Sequence, residues 1–243
     1  MPARHRDSGA GAGSGIVTGM QVTPRVLVLN NAVMPQVYTP FDHWRAHFPP
    51  EVPMVEVRLG QPLPPVREFT HLLLTGSEAS IVEPDPWVGE QMEYVRLAAA
   101  AGRRILGSCH GHQLIAAALG GSVGRAAKPE LGWIELEVLG SPAMFAGAVR
   151  PVWSFVAHFD EVTTVPPGCV ATARSAHCAI HGFAHQNLPI WGVQAHPEIT
   201  VPAGEELLAR FAGVDPRVPG AEVSRPPRDS GWIRQLVAGF LAL

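Results

Sequence analysis

Lysine is almost missing from this 243-residue sequence: of its 18 basic residues, only Lys128 is a lysine, and the rest are arginine. Such a bias reads as base composition of the gene rather than as chemistry. Charge is also sparse, at 16% of residues, and 18 basic against 21 acidic side chains leave a formal charge of −3. No stretch gathers the cations on one face, which argues against nucleic acid as a partner. Cysteine is limited to Cys109, Cys169 and Cys178, widely separated and without a CxxC pair, so neither a disulfide framework nor a zinc knuckle is expected. A reducing, cytoplasmic setting fits that usage. No apolar run approaches the roughly 18 residues that span a bilayer, and Arg4 and Arg6 lead into glycine and serine instead of a hydrophobic stretch. Neither a membrane-inserted nor a secreted protein is expected.

What is present is a large apolar fraction, 47%, which suits a globular core. The length leaves room for one or two domains, and α/β folds often use all of it as one. Residues 1–19 include the run Ser8 to Gly15 of serine, glycine and alanine. They offer little to bury and are expected to form a disordered tail, with 20–243 as a single domain. From Arg25 onward, short apolar runs alternate with longer periodic segments, the pattern of a mostly parallel sheet covered by helices. Arg25 to Asn30, Met54 to Leu59 and His71 to Thr75 read as strands. Asp85 as N-cap, Pro86 at the first helical position, a stripe of Val88, Met92, Val95 and Ala99, and a stop at Gly102 predict a helix. Arg104 to Gly107 then forms a fourth strand.

From Gly121 to about Ala195, strand-like runs dominate: Trp133 to Val138, Val152 to Ala157, Val170 to Arg174, Ala179 to Ala184 and Ile190 to Gln194. A helix over about 203–212 follows, then a proline-rich connector. A last amphipathic helix carries Trp232, Ile233, Leu236, Val237 and Phe240, a stripe more typical of core packing than of an interface.

The chemistry concentrates where the fourth strand meets Gly107-Ser108-Cys109-His110-Gly111-His112-Gln113, followed by the helical segment Leu114 to Leu119. This GxCxG spacing is that of a nucleophile elbow, in which the central residue sits strained between strand and helix and its neighbours must be small. At a helix N-terminus, the dipole favours the thiolate. A lone cysteine is more often inert and buried. Context reverses that reading, because Gly192-Val193-Gln194-Ala195-His196-Pro197-Glu198 supplies a histidine base, His196, and an orienting carboxylate, Glu198.

Five motifs occur in order: Leu74-Thr75-Gly76-Ser77 with Ser80, Gly107 to Gln113, Glu130-Leu131-Gly132-Trp133, His158-Phe159-Asp160-Glu161-Val162, and Gly192 to Glu198. Together they resemble the class I (triad) glutamine amidotransferases, most closely the standalone members that look like the amidotransferase domain of GMP synthase. The resemblance covers roughly residues 25 to 200. It implies a flavodoxin-like α/β domain in which Cys109 attacks the side-chain amide of glutamine, forms a γ-glutamyl thioester and releases ammonia. It further implies that His196 shuttles the proton, Glu198 orients it, and backbone N–H groups of Ser77 and His110 meet the oxyanion. Gly76, Gln113 and the loop at Phe159 would contact the substrate. No cofactor is implied.

One departure stands out: the family's usual Gly-Gly-Pro is here Gly76-Ser77-Glu78, which removes a residue of fixed φ. Ser77 still offers its backbone donor. His110 and His112 form an HxH, and His177, His181 and His185 add to a suspicion of metal. No metal is assigned, since an ion beside Cys109 would block the nucleophile. Asp160 also reads as a local turn residue, and Cys169 and Cys178 as core.

Three functions compete. The first is a glutamine amidotransferase or glutaminase whose ammonia serves a separate synthase subunit, since neither an SGGxDS nor a GxxxxGK[ST] loop occurs in the sequence. The second is a γ-glutamyl hydrolase or peptidase acting on a γ-glutamyl small molecule. The third is a non-catalytic regulatory protein on the same fold. The oligomeric state is left open.

Overall fold

The computed structural model describes residues 23–218 and 222–242. The tail expected over 1–19 lies outside the described residues. In chain order the strands are β1 (Val26–Asn30), β2 (Met54–Arg58), β3 (His71–Leu74), β4 (Arg104–Ser108), β5 (Ser122–Val138), β6 (Val152–Thr164), β7 (Cys169–Arg174), β8 (Gly182–His185), β9 (Ile190–Val193) and β10 (Val223–Ser224). The helices are α1 (Pro40–Arg45), α2 (Pro86–Ala100), α3 (His110–Ala118), α4 (Val201–Ala212) and α5 (Ile233–Leu241).

Strands β2-β1-β3-β4-β9 lie side by side and all run parallel. This is the flavodoxin-like strand order, in which ligands bind beyond the carboxyl ends of the strands. Strands β8 and β7 continue the sheet antiparallel, and β5 joins β7 over only Glu137 and Val138. The rest of β5 pairs with β6 as a long antiparallel ribbon, irregular between Arg125 and Glu130.

The period of two along the parallel strands builds two cores at once. In β1, Val26 and Val28 face one core with Trp44, Ile233, Leu236, Val237 and Phe240, so α1 and α5 cover that side. Leu27 and Leu29 face the other, with Val88, Tyr94, Val95, Leu114 and Ile115 of α2 and α3. A third cluster, including Leu131, Trp133, Phe155, Leu207 and Leu208, packs α4 on the β5/β6 ribbon.

Several expectations shift. The buried face of α2 is Val88, Gln91, Tyr94, Val95 and Ala98, with Met92 and Ala99 only partly covered. Polar anchors cause the rotation: Gln91 donates to Asn31 Oδ1 at 2.8 Å, and the Tyr94 hydroxyl donates to the Pro64 carbonyl at 2.7 Å. Asp85 stands at the N-cap of α2 but makes no side-chain capping bond. Helix α3 begins at His110, well before Leu114, because it starts on the residue after Cys109. The expected strand over 133–138 is the end of a 17-residue strand, and β6 runs on to Thr164. The outer half of β5, around Arg125 and Lys128, carries no apolar alternation because it is largely solvated, and β6 buries the polar side chains of His158 and Asp160 where an apolar residue would mark the strand. Helix α1 and strand β10 were not foreseen.

The apolar stripe of α5 is core, as its periodicity suggests. Arg104 ties the helix end to β4 by donating to the carbonyls of Phe240 at 2.8 Å and Gly239 at 2.9 Å. Phe240→Ala is expected to cost about 3–5 kcal/mol by leaving a cavity against Phe48 and His71, read as a lowered urea midpoint with unchanged slope.

Candidate active site

Cys109 has φ +48° and ψ −108°, and among the described residues it is the one non-glycine with positive φ. Holding a side chain there costs about 1–3 kcal/mol, offset by the packing around it. Its N–H donates to the Val193 carbonyl at 2.8 Å, and Gly111 N–H donates to Thr75 O at 3.1 Å. A Cβ on Gly107 would sit 2.4 Å from the Gly111 carbonyl carbon, and one on Gly111 would sit 2.3 Å from Leu74 O. Close approach of α3 to β3 and β4 is therefore what the two glycines permit. The Cys109 sulfur points to the Ala157 carbonyl at 3.7 Å.

His196 follows β9 and is fastened by its N–H to the Phe155 carbonyl at 2.8 Å. Its Nδ1 lies 2.9 Å from Glu198 Oε1, leaving Nε2 free for the thiol. Burial opposes the imidazolium, but the charges of Cys109 and Glu198, with hydrogen bonds to both, outweigh it and hold His196 up at about 10. Glu198 is likewise opposed by burial yet held below the usual carboxylate range by His196 and by Tyr38. Gly76 packs against this imidazole so closely that a Cβ there would lie 2.5 Å from His196 Cε1.

Tyr38 is a component the sequence reading missed. Its hydroxyl donates to Glu198 Oε1 at 2.6 Å and lies 3.4 Å from His196 Nδ1. Being one of only two tyrosines was the available signal, but nothing local connects position 38 to position 198. Burial, then the nearby Glu198 carboxylate, pushes its phenol well above the ordinary value. Glu78, which stands where the resemblance leads one to expect proline, is held by side-chain hydrogen bonds. Its Oε2 accepts the N–H groups of Val33 at 3.0 Å and Met34 at 3.4 Å, and Met34 O accepts the N–H of Tyr38 at 3.1 Å. Two side-chain hydrogen bonds thus brace the segment that carries Tyr38.

The pocket containing Cys109 and His196 is also lined by Ser77, Gln113 and Phe159. Gln113 Nε2 is already engaged, donating to Asp160 O at 2.8 Å and Gln194 Oε1 at 3.1 Å. Asp160 is pinned by Ser80 at 2.6 Å and Arg125 at 2.8 Å, so its carboxylate has a structural duty. His110 begins α3, where the first N–H groups have no intrahelical partner.

The HxH histidines do not converge. The His110 ring packs on Trp87 with centroids 5.3 Å apart, and His112 on Phe183 at 4.8 Å. Burial lowers both to about 3, so both are neutral near pH 7. His177 and His185 do not join His181 either. His181 Nε2 and His158 Nε2 each lie 3.0 Å from Glu130 Oε2, and Ser175 donates to Glu130 Oε1 at 2.7 Å. Among the described residues, His158, Cys178 and His181 are the group close enough to hold a metal, with ligand atoms within 4.8 Å of one another. Their imidazoles are already knitted together by Glu130. Cys169 and Cys178 are buried, and burial raises Cys169 to about 11 and Cys178 further.

A cysteine on an elbow, a histidine and a glutamate thus meet at the carboxyl ends of parallel strands in an α/β fold, the arrangement of a thiol–imidazole–carboxylate triad. The family model for class-I glutamine amidotransferases matches residues 66–213, and the chain belongs to that family. Over 109 residues it is 45% identical to the glutamine-hydrolysing GMP synthase subunit of Pyrococcus abyssi, a match covering 44% of this chain and 58% of that one. The Methanocaldococcus jannaschii protein of the same name is 36% identical over 135 residues, covering 55% of this chain and 72% of its own. The chain thus spans a little over half the length of the first of these relatives. A glutamine amidotransferase structure from Methylobacillus flagellatus superposes with TM-score 0.72 at 23% identity, covering 90% of this chain and 94% of that one. One from Thermotoga maritima gives 0.71 at 20% identity, covering 90% and 97%. At that identity the likeness is one of fold.

The raised His196 has a consequence for stability. Its folded-state value of about 10 exceeds the ordinary 6.5, so its contribution is complete below pH 6.5 and is lost as pH climbs towards 10. Urea unfolding across that range should show a falling stability for the wild type and a shallower fall for His196→Gln.

Proposed function

We propose that this protein hydrolyses the side-chain amide of glutamine through a γ-glutamyl thioester on Cys109. The observation that carries this reading is the strained Cys109 at the N-terminus of α3, in one pocket with an imidazole whose Nδ1 is held 2.9 Å from Glu198. With its value raised to about 10, His196 holds a proton at neutral pH, the state needed to donate to a leaving amine. The sulfur attacks the amide carbon, the tetrahedral oxyanion takes hydrogen bonds from the backbone N–H groups of Ser77 and His110, and ammonia departs with the His196 proton. His196 then deprotonates the water that releases glutamate. Glu198, held by Tyr38, keeps the proton-bearing Nδ1 fixed throughout. Gly76, Gln113 and Phe159 are the proposed substrate contacts, with Gln113 acting through its oxygen because its nitrogen is engaged.

The relatives named as glutamine-hydrolysing components of GMP synthase support transfer of the ammonia to a separate synthase subunit. Three free cysteines support the cytoplasm as the compartment. Among the described residues, no helix is long and apolar enough to cross a membrane.

Purified protein incubated with L-glutamine should release glutamate, and Cys109→Ala should lower the rate by roughly a thousandfold or more. Turnover by the lone chain is expected to be slow and to rise on adding the ammonia-using subunit. Glutamate release that survives Cys109→Ala contradicts the mechanism.

A further inference from the structure

Apart from the triad, a second group of reactive side chains is buried where the β5/β6 ribbon meets the segment between β7 and β8. Glu130 and His158 face each other across the ribbon ladder, and Cys178 and His181 stand three positions apart in that segment. None of the four is more than 5% exposed, so their polar atoms must find partners within the protein. The ligand atoms of His158, Cys178 and His181 all lie within 4.8 Å of one another, and Glu130 Oε2 lies 3.0 Å from both imidazoles.

Hydrogen bonds within the group do not satisfy it. Both ring nitrogens of His158 face acceptors, Nδ1 the Asp160 carbonyl at 3.1 Å and Nε2 the Glu130 carboxylate, and a neutral imidazole has one N–H to give. His181 Nδ1 is buried with no hydrogen-bond partner among the described residues. A cation resolves the conflict at His158: Nδ1–H donates to Asp160 O while Nε2 offers its lone pair, the usual arrangement of a ligating imidazole. Imidazole nitrogen and thiolate sulfur together suit zinc, and the Glu130 carboxylate with the Cys178 thiolate balances a divalent charge. The turn is already in place, because the Ser175 hydroxyl donates to Glu130 Oε1 at 2.7 Å and accepts the Cys178 N–H at 3.0 Å. A surface cleft lined by Glu135, Glu137, Ser175 and Cys178 gives a cation a way to the thiol.

We propose that His158, Cys178 and His181, with Glu130 as the acidic member of the site, bind one zinc ion that fastens the β5/β6 ribbon to the segment between β7 and β8. Such a clamp acts where backbone pairing is short, since β5 joins β7 over only Glu137 and Val138. The Cys178 thiol proton passes to solvent as the sulfur ligates, and nothing is oxidised or reduced. Cys109 and His196 take no part, so the nucleophile stays free.

The test is a metal titration of the full chain after treatment with EDTA, using Co2+ as a spectroscopic stand-in. One Co2+ per chain is expected, with a thiolate-to-cobalt charge-transfer band that Zn2+ abolishes by displacement. The band should persist in the Cys109→Ser/Cys169→Ser double variant, whose one remaining cysteine is Cys178, and vanish in Cys178→Ser. At free Zn2+ a hundredfold above Kd, the wild-type melting temperature should rise by about 5–10 °C, and that of Cys178→Ser should not. If Cys178→Ser does not fold, the double variant decides alone. A wild type without the band overturns the site. A band lost from the double variant, or one that survives Cys178→Ser, puts any metal at another cysteine and overturns the assignment.

Discussion

The close approach of α3 to the carboxyl ends of β3 and β4 is the constraint on which the site depends. With no side chain at Gly107 and Gly111, the helix can start on the residue after Cys109, which sits at positive φ with its sulfur 3.7 Å from the Ala157 carbonyl. The same approach lets Gly111 N–H bond to Thr75 O, so the loop that begins Gly76-Ser77 is anchored to the helix that starts after Cys109. Strain at one residue is thus compensated by hydrogen bonds and packing from three strands.

A second chain of contacts sets the charge state beside the sulfur. Glu78 braces Val33 and Met34, Met34 supports Tyr38, Tyr38 donates to Glu198, and Glu198 holds His196. Each link is a hydrogen bond, and at the imidazole the last of them, with the charges of Cys109 and Glu198, outweigh the burial that opposes an imidazolium. A glutamate in place of the family's proline therefore exchanges backbone rigidity for side-chain bonds that reach into the site.

Much of this was legible in the sequence because the relevant signals are local. The GxCxG elbow, the apolar runs of β1, β3 and β4, and the His196-x-Glu198 spacing each declare themselves within a few residues. The motifs together carried the resemblance to the family, and the flavodoxin-like fold was what that resemblance implied. What was not legible depends on contacts across the chain. Tyr38 meets Glu198 across 160 positions, and no pattern near position 38 announces it. Histidine spacing suggested His177, His181 and His185 as a group, whereas folding gathers His181 with His158, Cys178 and Glu130. The face of α2 turned by about one residue because buried hydrogen bonds of Gln91 and Tyr94 outweighed the apolar stripe. The outer half of β5 is largely solvated and β6 buries the polar His158 and Asp160 beside it, so neither showed the apolar alternation that marks a strand.

The most direct measurement of the central claim is acid quenching of the enzyme during turnover of glutamine, followed by peptide mass spectrometry. One γ-glutamyl group is predicted on the peptide containing Cys109, lost on treatment with hydroxylamine. Glutamate accumulating while Cys109 stays unmodified, or the label appearing on Cys169 or Cys178, would contradict it.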